Sequence, residues 1–143
     1  MVKPLWIVCA LTLLPACEDS SDSGTRLSFN DFKIQVARQM DSSSLDCGTV
    51  MVNDETLEAN TCMANAFNND EAFFAVYELQ GIDSQVGHAL TYQNNRLLFW
   101  YFDSAPGGSL DSESSIISDS ECVNPTLSGV LDGEAFEVFI CDE

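Results

Sequence analysis

The side chains of this chain that could do chemistry are its cysteines and its single histidine. Four cysteines lie in the main body of the sequence, at Cys47, Cys62, Cys122 and Cys141. Structural zinc sites need ligands in close pairs, and these four are too widely spaced for that. In an exported chain, four cysteines imply two disulfides with three alternative connectivities. The separations of 15 and 19 residues favour the local pairs Cys47 with Cys62 and Cys122 with Cys141.

His88 is the only histidine, and alternation along strands would place it in a row with Tyr77 and Tyr101. Such a row could handle a proton or bind a ligand. The alternative is a hydrogen-bonded histidine in a half-buried core. No G-x-S-x-G motif places a serine nucleophile, and a cysteine nucleophile would need a free thiol. We therefore predict a protein that is not an enzyme and that holds no cofactor or metal.

Two further groups of side chains are candidates for binding. The acidic clusters Asp111-Ser112-Glu113 and Asp119-Ser120-Glu121 could supply oxygen ligands for calcium, but no D-x-[DN]-x-[DN]-G loop organises them. A solvated charge run is the simpler interpretation. Trp100 and Phe102 share a strand face that could bind a protein, with a second core layer as the alternative.

The pattern of apolar and turn residues predicts the elements that must position these side chains. We expect a helix capped by Ser28 and a second helix beginning at Asn53 or Asp54. The expected bounds are 28–40 and 54–67 for the helices, 72–79, 85–93 and 96–103 for three strands, 104–121 for a long acidic loop, and a final hairpin turning at Asp132-Gly133.

These elements predict an α+β domain, with two N-terminal helices packed on one face of an antiparallel β-meander, a C-terminal hairpin and two local disulfides. Counting through the turns pairs Gln93 with Arg96 and places His88 between Tyr77 and Tyr101. We expect both helices on this histidine-bearing face. The opposite face, with Trp100, is too apolar for solvent, so we expect the C-terminal segments, a partner or a second copy to cover it.

The first residues have the layout of a secretory signal. Lys3 supplies a positive charge, residues 5–14 are an apolar run, and the small residue Ala16 follows. The run is too short to cross a hydrocarbon core of ~30 Å as a helix. We therefore assign residues 1–16 to a signal peptide, residues 17–26 to a polar, flexible tether, and residues 27–143 to a single domain.

The segment Leu14-Pro15-Ala16-Cys17 resembles the bacterial lipobox, with Pro15 as a less usual choice. The resemblance implies cleavage before Cys17 and a lipid anchor on its thiol. Ordinary secretion, with Cys17 in a disulfide, is the alternative. An Asp directly after the lipidated cysteine often marks inner-membrane retention; here that residue is Glu18, which favours the outer membrane. The implied location is the cell envelope, on the periplasmic side or the cell surface.

The pattern of Cys47-Gly48, then Cys62 on a helix, then the segments 74–84 and 101–104 is similar to that of small acidic envelope lipoproteins with no assigned activity. The similarity covers about half of the chain and carries no functional residue over. It implies a compact, membrane-anchored domain.

The net charge of the chain limits the classes of partner that it can bind. Cleavage before Cys17 leaves four basic and 23 acidic residues, a net charge of −19. Such a surface repels nucleic acid and anionic lipid head groups but could attract a basic partner. We therefore expect an envelope lipoprotein that acts as a non-enzymatic protein-interaction or structural module. The alternatives are a module that binds a small ligand or a cation, and an inhibitor of a basic hydrolase.

Overall fold

The computed structural model describes residues 26–108 and 114–142, so the signal, Cys17 and the tether up to residue 25 lie outside it. It has two α-helices, a short 3₁₀ turn and six strands. In chain order these are α1 (Phe29–Arg38), β1 (Leu45–Val50), α2 (Leu57–Asn68), β2 (Phe73–Leu79), β3 (Val86–Gln93), β4 (Arg96–Asp103), β5 (Ile116–Leu127), the 3₁₀ turn (Ala135–Glu137) and β6 (Phe139–Asp142).

The six strands lie in the order β1-β2-β3-β4-β5-β6, with β1 parallel to β2 and every other pair antiparallel. Helix α2 is thus the crossover of a β-α-β unit. Strand β1 was not predicted, because Asp46 and Gly48 resemble turn residues. The strand accommodates them with an irregularity between Asp46 and Thr49, where Gly48 has a positive φ of 102°.

The meander has the predicted register. Gln93 pairs with Arg96, and His88 lies between Tyr77 and Tyr101. Asn94 and Asn95 form the two-residue turn, both with positive φ, which asparagine tolerates better than most residues. The turn residues were sufficient to predict this register because each strand of the meander pairs with its neighbour along the chain.

The two helices pack on opposite faces of the sheet, so the prediction that both lie on one face is wrong. Helix α2 covers the face that carries His88 and Tyr77, through buried residues such as Met63. Helix α1 covers the face that carries Trp100 and Phe102, which we call the α1 face. The α+β class itself is confirmed, with α1 and α2 on either side of a mixed sheet.

Helix α1 reaches its face because small residues there leave room for large rings. Phe32 is fully buried and stacks on Phe102 with ring centroids 5.1 Å apart. A Cβ added at Gly87 would come within 2.8 Å of the Phe29 ring. The predicted cap is confirmed: the Ser28 hydroxyl accepts from the Asp31 amide, and the Asp31 carboxylate accepts from the Ser28 amide.

The C-terminal part differs most from the prediction. Residues 116–121, expected in a loop, pair with β4 as the first half of β5. The strand then bends at Asn124, where φ is 47°, and its second half pairs with β6. An eleven-residue connection containing the 3₁₀ turn replaces the predicted tight turn at Asp132-Gly133. Phe139 packs on Phe67 and Phe73, so β6 lies over the α2 face.

Both predicted disulfides are present. Cys47–Cys62 ties β1 to α2, and Cys122–Cys141 ties β5 to β6. Within the described residues, no helix is long and apolar enough to cross a membrane.

Candidate functional site

A buried asparagine holds the C-terminal connection against helix α2. Asn60 is fully buried, and its amide nitrogen donates to the carbonyls of Leu131 and Gly133, each at 2.9 Å. Its amide oxygen accepts from the Tyr77 hydroxyl at 2.6 Å. Burial also raises the pKa of Tyr77, so this hydroxyl stays protonated and can donate. Tyr77 belongs to the predicted row, but its hydroxyl is used in a structural hydrogen bond to Asn60.

Sequence reasoning missed Asn60. The signal was present, because Asn60 lies three and four residues before Met63 and Ala64, on the buried stripe of α2. A polar amide on such a stripe needs partners from elsewhere in the chain. Those partners could not be identified without the path of residues 131–133.

A cleft of about 670 Å³ opens where parallel strands β1 and β2 end, between residues 50–57 and residues 132–137. The carboxyl ends of parallel strands are a common place for binding crevices, because the chain must leave the sheet there. Six carboxylates line the cleft: Asp54, Glu55, Glu78, Asp132, Glu134 and Glu137. No lysine, arginine or histidine is among the described residues that line it.

The cleft also exposes apolar side chains. Met51 and Leu57 lie in it with 45% and 50% of their surface accessible. Val50 and Leu79 contribute to the same wall. Exposed apolar side chains in a cleft that is also lined by six carboxylates suit a ligand that is both basic and partly apolar.

Hydrogen bonds hold the two sides of the cleft in place. The Thr56 hydroxyl donates to the Gly133 carbonyl at 2.9 Å, which links the start of α2 to the C-terminal connection. Asp54 accepts from the Met51 amide, and Glu137 accepts from the Glu134 amide. By contrast, the carboxylates of Glu55, Glu78 and Asp132 make no hydrogen bond to a described residue, so they are available to a ligand.

None of the four basic side chains of the described part lines the cleft, and the first of them, Arg26, donates to the Ser104 carbonyl at 3.0 Å. Lys33 and Arg38 are on α1, across the sheet. Arg96 is at the β3–β4 turn, at the end of the sheet where β2 begins, and it pairs with Glu121 at 2.8 Å. This exposed pair lowers the pKa of Glu121. The described lining of the cleft therefore carries six carboxylates and no basic side chain to neutralise them.

The predicted acidic clusters do not form the cleft. Asp119 and Glu121 are on β5, facing Trp100 and Leu98 in the register, and Asp111-Ser112-Glu113 lies outside the described residues. Within the described ranges, no group of three or more histidine, cysteine or acidic side chains has the geometry to hold a metal ion.

A smaller pocket of about 240 Å³ lies beside His88 on the α2 face. The His88 ring is 5.7 Å from the Tyr101 ring and 6.2 Å from the Phe136 ring. Burial lowers the pKa of His88, and the nearby Glu134 carboxylate opposes part of that effect. His88 and Tyr101 are therefore together as predicted, but Phe136 replaces Tyr77 as the third ring of the pocket. The full lining is His88, Leu90, Phe99, Trp100, Tyr101, Ser118, Ser120 and Phe136.

The candidate patch formed by Trp100 and Phe102 is covered. Phe102 is fully buried under α1, and the Trp100 indole donates to the Thr91 hydroxyl at 2.9 Å. Helix α1 thus occupies the face for which the C-terminal segments, a partner or a second copy were expected.

No protein-family model, curated protein or solved structure matches this chain.

Proposed function

We propose that this chain is an exported, lipid-anchored binding domain without enzymatic activity, and that its cleft holds a basic, partly apolar segment of a partner protein. The proposal rests on one observation: a concave surface of about 670 Å³ combines six carboxylates with exposed Met51 and Leu57, and no basic residue lines its described part. A basic hydrolase inhibited by such contact is one form the partner could take.

Electrostatic attraction alone would increase the association rate and the selectivity for basic ligands more than it would increase the affinity. Exposed ion pairs contribute only ~0.2–1 kcal/mol each, because water and salt screen them. A row of like charges in a concave site nevertheless attracts a basic ligand from a distance and rejects acidic ones. The apolar side chains Met51 and Leu57 would then supply contact area that salt does not screen.

A blocked synthetic peptide of alternating arginine and leucine is a direct probe of the cleft. The cleft variant Glu55→Gln/Glu78→Gln/Asp132→Asn removes three charges that have no hydrogen bond to a described residue. At about 0.5 kcal/mol per pair, it should bind the peptide roughly tenfold more weakly than the natural chain. Isothermal titration at low salt measures this difference.

The matched control removes three charges elsewhere, in Glu71→Gln/Asp83→Asn/Asp119→Asn, whose side chains are exposed and outside the cleft. Its net charge equals that of the cleft variant, so binding should change less than twofold. Equal weakening in both variants would mean that the peptide senses net charge alone, and the proposed cleft would be wrong. A second peptide with serine in place of leucine should bind more weakly than the first.

The compartment and the anchor are part of the same proposal. Two disulfides are typical of proteins that fold outside the reducing cytosol. With Cys17 carrying lipid, the remaining cysteines after cleavage are the four of those disulfides. The domain would then be held in the cell envelope, with outer-membrane sorting favoured by Glu18.

Intact mass of the protein extracted from membranes tests the anchor. We expect the mass of residues 17–143 with acyl groups added, and a Cys17→Ser variant should appear uncleaved and without lipid. A mature chain that begins elsewhere, or one without acyl groups, would remove the anchor while leaving the peptide experiment unaffected.

A further inference from the structure

We propose that the pocket beside His88 is a second binding site, for a small quaternary ammonium cation. The site goes beyond the proposed function, because the cleft needs none of the residues in this pocket. The 3₁₀ turn separates the two: Glu134 and Glu137 line the cleft, and Phe136 lines the pocket.

Three rings that line the pocket lie close to one another: His88, Tyr101 and Phe136. The His88 and Tyr101 rings are inclined at 60°, and the His88 and Phe136 rings at 71°, with centroid separations of 5.7 and 6.2 Å. Phe99 adds an aromatic side chain to the lining. A pocket lined by several aromatic rings suits a quaternary ammonium group, because the electron-rich face of an aromatic ring attracts a cation.

The charges around the pocket favour a cation over an anion. The Glu134 carboxylate lies close enough to act on His88, and the Tyr101 hydroxyl donates to Asp103. Among the described residues that line the pocket, none is lysine or arginine. Burial keeps His88 neutral near pH 7, because it lowers the pKa of the imidazole. The carboxylates of Glu134 and Asp103 would repel an anionic ligand.

The size and the remaining polar groups select a small ligand. A volume of about 240 Å³ lies below the usual range for drug-sized ligands, ~300–1,000 Å³. His88, Ser118 and Ser120 make no hydrogen bond to a residue in the described part of the chain, so each can contact a ligand. A trimethylammonium group with one short polar arm fits these requirements.

Choline chloride is the probe, and the His88 ring signals in NMR of the full chain are the readout. They are unambiguous, because the chain has one histidine. We expect a saturable shift with choline and about tenfold weaker binding of 3,3-dimethylbutanol, its uncharged carbon analogue. That preference corresponds to ~1.4 kcal/mol, within the range of cation–π contacts.

Substitutions at Phe136 distinguish the attraction between the aromatic ring and a cation from apolar contact alone. Phe136 is 48% exposed, so the fold should tolerate change there. Phe136→Leu keeps apolar bulk without the ring and should weaken choline binding about fivefold, whereas Phe136→Trp should keep it. Ile140→Ala is the control, since Ile140 is 56% exposed on β6 and outside the pocket.

Three results would overturn this site: no saturation with choline, equal binding of the uncharged analogue, or equal binding by Phe136→Leu and the natural chain. The cleft variant Glu55→Gln/Glu78→Gln/Asp132→Asn should bind choline within twofold of the natural chain. Failure of either site is thereby distinguished from failure of the other.

Discussion

Asn60 connects three parts of the molecule with one amide group. Its oxygen accepts from Tyr77 on β2, and its nitrogen donates to the Leu131 and Gly133 carbonyls. A buried polar group that loses its partner destabilises the fold by its full desolvation cost. This cost is larger than the net stabilisation that a hydrogen bond normally contributes. Asn60 therefore determines where the C-terminal side of the cleft lies.

Asn60→Ala should lower the free energy of unfolding by about 3 kcal/mol, because it leaves two carbonyls and one hydroxyl without their partner. Tyr77→Phe removes one of these bonds and should cost about 1 kcal/mol. Urea unfolding with the disulfides intact measures both. The double variant should lose less than the sum, since the two residues share a bond. Strict additivity would contradict the network.

His88 makes stability depend on pH in mildly acidic solution. Its folded pKa lies below the ordinary value of 6.5, because burial disfavours the charged ring. The unfolded chain therefore takes up the proton first as the pH falls. The contribution of His88 to stability is complete well above pH 6.5, falls as the pH passes through 6.5, and is lost as the pH decreases through the folded pKa.

The free energy of unfolding of the natural chain, minus that of His88→Gln, should be constant above pH 7.5 and should decrease below pH 6.5. Among the described residues, the charged group that acts on His88 is Glu134, which directly precedes the 3₁₀ turn, while Tyr101 from β4 and Tyr77 from β2 are neutral in this range. Glu134→Gln should lower the pKa of His88 further in NMR titration. An unchanged or raised pKa would contradict the proposed electrostatics.

At the scale of elements, the two disulfides join different pairs of elements. Cys47–Cys62 fixes β1 to α2, and Cys122–Cys141 fixes β5 to β6, next to the connection that carries Asp132 and Glu134. The two loops span 15 and 19 residues, so loss of either bond should cost about 3 kcal/mol in the chain-entropy model.

Loss of each disulfide should destabilise a different part of the domain. In Cys122→Ala/Cys141→Ala, hydrogen exchange should accelerate in residues 128–142, and peptide binding by the cleft should weaken. In Cys47→Ala/Cys62→Ala, exchange should accelerate first in β1, which has a neighbour on one side only. Mass-detected hydrogen exchange measures this. Equal acceleration throughout both variants would argue for global unfolding instead.

At the scale of the whole molecule, a net charge of −18 opposes folding through self-repulsion. Salt screens that repulsion, so the melting temperature should rise with sodium chloride. A gain of about 1 kcal/mol corresponds to roughly 4 °C for a domain of this size. Over the same salt range, affinity for the arginine-leucine peptide should fall. Calorimetry and titration measure these opposite trends, and potassium chloride should give the same result. A flat melting temperature would contradict the repulsion.

Short-range features were predictable from the sequence. Ser28 caps α1 as predicted, and Asp31, three residues further on, completes the capping box. Asn94-Asn95 is a two-residue turn, and it determines the register that joins His88 to Tyr101. Strands joined by short turns have few alternative pairings, and disulfides across short spans have little entropy to overcome. For these reasons the predicted register of the meander and the two predicted disulfides are confirmed.

The first half of β5 could not be recognised in the same way. Residues 118–121 are serine and acid, with no alternating apolar residues to indicate a strand. They are extended because β4 offers a free edge whose backbone groups need partners. This backbone requirement overrides the loop-like composition of the segment.

The sequence alone determined the strand register of the meander, the cap of α1 and the disulfide pairing, because each depends on residues close along the chain. Only the tertiary structure decided the face that each helix covers, the parallel pairing of β1 and the acidic cleft. These depend on the handedness of the β1-α2-β2 crossover and on contacts such as Asn60 with Gly133, 73 residues apart. Such contacts form when the whole chain buries its apolar surface, and no local pattern specifies them.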